Sequence, residues 1–133
     1  MTQAHILLAE DEEYIRAGLQ DLLELFGYTV SSADNGANAW QMLQNRANGN
    51  ARKPYDLVIS DVRMPQLDGV QLLERIRDGY PSLPVILITG HMEAHKLSRA
   101  LGDPATDCIE KPFEIAALLQ KVERALERPL AAD

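Results

Sequence analysis

The sequence predicts a doubly wound α/β sandwich: a five-stranded parallel sheet with helices on both faces. Three observations lead there. Short strand-forming runs recur at residues 6–9, 28–30, 57–59, 84–88 and 107–110, and the runs at 6–9, 57–59 and 84–88 are apolar without alternation, which suits strands buried on both faces. Between the runs lie longer segments with apolar residues at helical spacing, and strands that alternate with helices form parallel sheets through right-handed crossovers. The chain has 133 residues, 46% of them hydrophobic, which is enough for one domain with one sizeable core.

Ile6-Leu7-Leu8-Ala9 forms the first strand and runs into Glu10-Asp11-Glu12-Glu13. Ile15, Leu19, Leu22, Leu23 and Phe26 then recur at helical spacing, and Gly27 suits a helix stop. Tyr28-Thr29-Val30 is a second short strand of β-forming residues. Asp34 or Asn35 caps a helix whose apolar face is Ala39, Trp40, Met42 and Leu43. Residues 45–54 lack apolar periodicity and are expected as a long surface loop, with Arg46, Arg52 and Lys53 as its cations.

Leu57-Val58-Ile59 forms the central strand. It stops at the carboxylate of Asp61, and Met64-Pro65 prevents a direct passage into helix. Asp68-Gly69 opens a helix with Val70, Leu72, Leu73 and Ile76 inward, ending near Gly79. The fourth strand, 84–88, leads into Thr89-Gly90-His91. Residues 93–101 read as a weaker helix ended by Gly102-Asp103-Pro104. The fifth strand follows and leads to Lys111-Pro112-Phe113. A last helix buries Ile115, Ala116, Leu118, Leu119, Val122 and Leu126. The domain is expected over residues 1–128, with 129–133 as a tail or the start of a linker.

A net charge of −7 disfavours nucleic acid as a partner, because phosphate binding needs a basic surface. The single cysteine, Cys108, excludes an internal disulfide and a multi-cysteine metal site. No charged segment followed by an apolar stretch opens the chain, and no run approaches the roughly 18 apolar residues of a membrane span. A cytoplasmic chain without membrane contact is expected.

In a parallel sheet all carboxyl ends of the strands share one edge, where ligands bind. That edge would gather Glu10 and Asp11, Asp61, Thr89 with Gly90, and Lys111. Clustered carboxylates repel and favour protonation unless a cation is present. Mg²⁺, a hard cation that takes oxygen ligands and keeps several waters, resolves the conflict. The neighbouring hydroxyl and ammonium suit an anion that comes and goes. Phosphoryl transfer to a carboxylate fits the set: Asp61 as nucleophile, Mg²⁺ and Lys111 offsetting charge, Thr89 donating a hydrogen bond, and Gly90 leaving room.

Glu10-Asp11, Ser60-Asp61-Val62-Arg63-Met64-Pro65, Asp68-Gly69, Thr89-Gly90 and Lys111-Pro112-Phe113, in this order and each at a strand end or loop, resemble the receiver domain of two-component response regulators. The resemblance runs from about Ile6 to about Arg128. It is nearest to receivers of sigma-54-dependent transcriptional activators. It implies a flavodoxin-like sheet of order 2-1-3-4-5 and a phosphoryl group accepted by Asp61 from a histidine kinase. It implies Mg²⁺ held by Glu10, Asp11, Asp61 and the backbone carbonyl of Arg63, and a cis Lys111-Pro112 peptide. It also implies a switch in which Thr89 moves inward and the surface of the fourth helix, fifth strand and fifth helix changes. That surface would serve an output domain, an effector protein or a homodimer. The expected role is therefore a phosphorylation switch in transcription control, not an enzyme.

Two departures from the family pattern touch the switch residues Thr89, Cys108, Pro112 and Phe113. Cys108 stands where receivers usually carry Tyr or Phe, and Pro104 interrupts the usual Gly-Ala turn before the fifth strand, since proline cannot take positive φ. A receiver-shaped interaction domain that is never phosphorylated is the alternative. A hydrolase of the haloacid dehalogenase type would want a second Asp where Arg63 stands. A flavodoxin-like binder would want a Ser/Thr/Gly-rich loop where Glu10-Asp11-Glu12-Glu13 stands.

Overall fold

The computed structural model describes residues 4–47, 54–90, 102 and 104–127. Strands β1 (His5–Ala9), β2 (Thr29–Ala33), β3 (Leu57–Asp61), β4 (Val85–Thr89) and β5 (Thr106–Glu110) form one sheet in the order β2-β1-β3-β4-β5. Every pairing is parallel. Among the described residues the helices are α1 (Glu13–Leu25), α2 (Gly36–Ala47), α3 (Gly69–Gly79) and α4 (Ile115–Glu127). Among the described residues, no helix is long and apolar enough to cross a membrane. The expected helix at 93–101, His91 and the tail at 129–133 lie outside the described residues.

Side chains alternate across the sheet, so each strand feeds two cores. Leu7, Val58 and Leu87 pack on one face with Ala39 and Leu43 of α2 and Leu72 and Ile76 of α3. Ile6, Leu8, Ile59 and Ile86 pack on the other with Leu19 and Leu23 of α1 and Leu118 and Val122 of α4. All five residues of β3 and of β4 are buried, which is why those runs show no alternation.

Local chemistry sets the element ends. Gly27 takes φ 97° after α1, a conformation open to glycine. Asn35 Oδ1 accepts the Asn38 N–H at 2.8 Å and caps α2. Asp68 and Gln71 form a capping box at the start of α3.

Several expectations are corrected. β2 runs on through Ser31, Ser32 and Ala33, because an edge strand with half-exposed positions accommodates hydroxyl side chains. α2 continues through Ala47, so 45–47 is helix and not loop; the expected loop cations Arg52 and Lys53 lie outside the described residues. Arg46 is tied down: its Nε donates to the Pro54 carbonyl and its guanidinium lies 4.9 Å over the Tyr55 ring. Ile15, Phe26, Ile115 and Ala116 are exposed although they fall in the apolar helical pattern; they sit at the first or last turns, beyond the reach of the sheet. Trp40 packs half-buried against the core with an edge contact to Tyr80 at 6.3 Å, as a core residue does.

Candidate functional site

Asp61 is the last residue of the central strand β3, between β1 and β4, and its side chain is buried. Glu10 follows β1 directly and is buried, whereas its neighbour Asp11 is exposed. One carboxylate oxygen from each of Glu10, Asp11 and Asp61 lies within 4.8 Å of the others. Lys111 follows β5, and its backbone N–H donates to the Thr89 carbonyl at 2.7 Å, which seats it across the end of β4. From there its Nζ reaches Asp61 Oδ2 at 2.8 Å. The other oxygen, Oδ1, accepts the Arg63 N–H at 3.3 Å. Thr89 ends β4, fully buried, and its hydroxyl has no hydrogen-bond partner.

Charge in this pocket is unbalanced. Burial pushes the Glu10 carboxyl up to about 7; the Glu12 N–H, which donates to Oε2 at 2.9 Å, opposes that rise, and the neighbouring Asp61 adds to it. Its other oxygen, Oε1, is buried without a partner. Partial burial opposes the charge on Lys111, but its hydrogen bond to Asp61 and the charges of Asp61, Glu10 and Asp11 outweigh it and raise its pKa.

The donor set fits a hard divalent cation. All three convergent side chains offer oxygen, one of those groups is exposed to admit water, and an unsatisfied buried carboxylate oxygen awaits a positive partner. Unsatisfied buried polar atoms are uncommon in folded proteins, so Glu10 Oε1 and the Thr89 hydroxyl together mark the pocket.

Glu10, Asp11, Asp61, Thr89 and Lys111 are thus brought to one edge. Gly90 stands half-buried beside Thr89, and Arg63 is exposed at the start of the loop after β3. The Lys111-Pro112 peptide is cis. The Lys111 side chain is 38% exposed, as a residue on a loop beyond the sheet edge is. Cys108 lies in mid-strand and packs against the core under α2 and α3, whereas Phe113 packs against the opposite core, under α1 and α4. Arg16 went unread in the sequence. Its Nη1 donates to the Glu10 carbonyl at 2.9 Å and anchors the turn that carries the acids, a contact with no local sequence signal.

Comparison with known proteins agrees with this architecture. The family model of the response regulator receiver domain matches residues 6–123. The response regulator protein FleR of Pseudomonas aeruginosa is 41% identical over 121 residues, covering 91% of this chain and 24% of FleR. The DNA-binding transcriptional regulator NtrC of Escherichia coli is 34% identical over 126 residues, covering 95% of this chain and 25% of NtrC. Among solved structures, a response regulator receiver domain protein from Clostridium thermocellum superposes with a TM-score of 0.84 at 29% identity, over 94% of this chain and 95% of that one. The chain spans about a quarter of the length of the curated relatives FleR and NtrC. With a family match over most of its length, this chain belongs to the response regulator receiver domain family of two-component systems.

Proposed function

We propose that the chain is a Mg²⁺-dependent phosphoryl acceptor that works as a switch, with Asp61 as the residue modified. The observation that supports this best is the convergence on Asp61 of two further carboxylates and the Lys111 ammonium, with the unpartnered Thr89 hydroxyl at the same sheet edge. Glu10, Asp11, Asp61 and the Arg63 carbonyl would hold the cation. Bound Mg²⁺ would supply positive charge to offset the oxygens of the arriving group.

The chain's own residues do the rest. A carboxylate oxygen of Asp61 forms the new O–P bond as the bond from phosphorus to the donor breaks, and the donor leaves with that electron pair. Lys111 exchanges its pairing with the free carboxylate for one with the phosphoryl oxygens. The Thr89 hydroxyl gains the acceptor it lacks, which draws β4 and β5 toward the modified side chain. The donor is the phosphohistidine of a sensor kinase. The reader is an output domain, an effector protein or a second copy docked on the surface around β5 and α4.

Incubation with Mg²⁺ and a small phosphodonor such as acetyl phosphate, followed by intact mass, tests the reading. One added phosphoryl group is expected, absent from Asp61→Asn and absent without Mg²⁺. No added mass in the wild type would leave the unphosphorylated interaction domain in its place.

A further inference from the structure

Asp61 is followed by a loop, residues 62–68, that returns the chain to α3. Three of its side chains, Val62, Met64 and Leu67, are buried. Its far end is fastened beneath Asp61: the Gly69 N–H donates to the Val62 carbonyl at 2.8 Å, and a methyl at Gly69 would collide with the Asp61 carbonyl and lie 2.8 Å from Val62 Cα. At its middle the Leu67 N–H donates to the Pro65 carbonyl at 2.8 Å across Gln66, whose φ is 68°. That is a γ-turn with positive φ at a residue bearing a side chain, a conformation that persists only under external constraint.

The constraint comes from α2. A methyl at Gly36 would collide with the Leu67 carbonyl oxygen and lie 2.8 Å from its carbon and 3.0 Å from Leu67 Cβ. The first turn of α2 thus rests against the loop backbone. α2 itself has little freedom to yield, because Asn35 caps it and Ala39 and Leu43 are fully buried in the core. A side chain at position 36 would therefore move the loop and not the helix.

We infer that Gly36, on a helix that sends no group into the acidic pocket, is a positioning residue for phosphoryl acceptance. Its missing side chain lets α2 hold the strained turn at Gln66, and the turn in turn fixes the Arg63 backbone, whose N–H supports Asp61 Oδ1. This rests on the reading of Asp61 as a Mg²⁺-dependent acceptor.

The test uses the full chain as wild type, Gly36→Ala, Gln66→Gly and the double variant. Mg²⁺ affinity is measured by calorimetry, phosphoryl uptake by intact mass, and stability by thermal unfolding. Gly36→Ala is expected to weaken Mg²⁺ binding on the order of tenfold, as loss of support around a metal site does, and to slow uptake in parallel. Gln66→Gly in that background relieves the turn, so stability should recover while Mg²⁺ affinity does not. Recovery of both together, or wild-type affinity and uptake in Gly36→Ala, overturns the inference. Should Gly36→Ala fail to fold, Gln66→Gly alone decides: weakened Mg²⁺ binding in a folded protein supports it, and unchanged binding overturns it. A wild type that takes neither Mg²⁺ nor phosphoryl group overturns the underlying acceptor reading instead, and is thereby distinguished.

Discussion

Lys111 Nζ lies 2.8 Å from Asp61 Oδ2, across a separation of 50 residues. The pair joins the end of the central strand to the residue just beyond the edge strand β5, spanning the end of β4. It occupies the same Asp61 carboxylate that the proposed chemistry uses. The ammonium therefore serves the free state as a counter-ion and must change partner when a phosphoryl group arrives.

Replacing Lys111 with Met separates the two roles. Without the ammonium, phosphoryl uptake from a small donor is expected to fall on the order of 100-fold, because a preorganised charge at the transferring oxygens is lost. Mg²⁺ affinity is expected to rise, since a cation competing for Asp61 has gone. Calorimetry and intact-mass kinetics on the same preparation check both. An affinity that falls along with uptake would place Lys111 in structural support instead.

Glu10 is expected to make the proposed Mg²⁺ binding pH-dependent. Its folded, metal-free pKa of about 7 lies above the ordinary value of 4.5, so the folded chain holds this proton more tightly than the unfolded one. Its contribution to metal-free stability is fully present below 4.5 and is lost as pH rises through about 7. A cation needs the deprotonated oxygen, so Mg²⁺ affinity should climb with pH up to about 7, with proton release, and level off above it. Titrations at stepped pH in two buffers of different ionisation enthalpy measure both the climb and the proton. Glu10→Gln should flatten the profile.

Arg77 is a strap at the opposite end of the sheet. Its Nη1 donates to the Leu83 carbonyl at 2.7 Å and the Tyr80 carbonyl at 3.3 Å, and its Nη2 to Thr106 Oγ1 at 2.7 Å. It thus ties the end of α3 to the start of β5, past β4. Arg77→Leu should cost about 2 kcal/mol, since partly buried acceptors lose a charged donor. Urea denaturation should show a lower midpoint with an unchanged slope. Thr106→Ala should cost less, because the two carbonyls keep their partner.

The legible parts of this fold are those where one local pattern has one physical solution. The runs at 57–59 and 85–88 are apolar throughout because both faces of β3 and β4 are covered. Parallel topology then forces the polar residues just beyond them to one edge, so Glu10, Asp11, Asp61, Thr89 and Lys111 could be placed together from order alone. Patterns failed where burial depends on distant packing. Ser31 and Ser32 fall outside the expected strand at 28–30, yet they pair with β1. Ile15 and Ile115 read as core, yet they lie beyond the sheet's reach. The contact of Gly36 with Leu67 joins residues far apart in sequence and leaves no trace in either segment.

Cys108 offers a test of the interior away from the acids. Burial raises its thiol pKa first; the charge of Asp107 raises it further, Lys121 pulls it down, and Glu110 adds a smaller rise. Asp107 is close because its Oδ1 accepts the Cys108 N–H at 2.8 Å, and Lys121 is held there by an ion pair with the same carboxylate at 3.2 Å. The reactive species is the thiolate, so the folded protein should be alkylated by iodoacetamide at neutral pH more slowly than a small free thiol. Unfolding in urea should restore the ordinary rate. Lys121→Ala should slow the folded rate further, because it removes the one lowering charge and leaves Asp107 unneutralised. Rapid modification of the native protein at neutral pH would instead mean an accessible, activated thiolate, and the reading of Cys108 as a packing residue of β5 would have to be replaced by a reactive one.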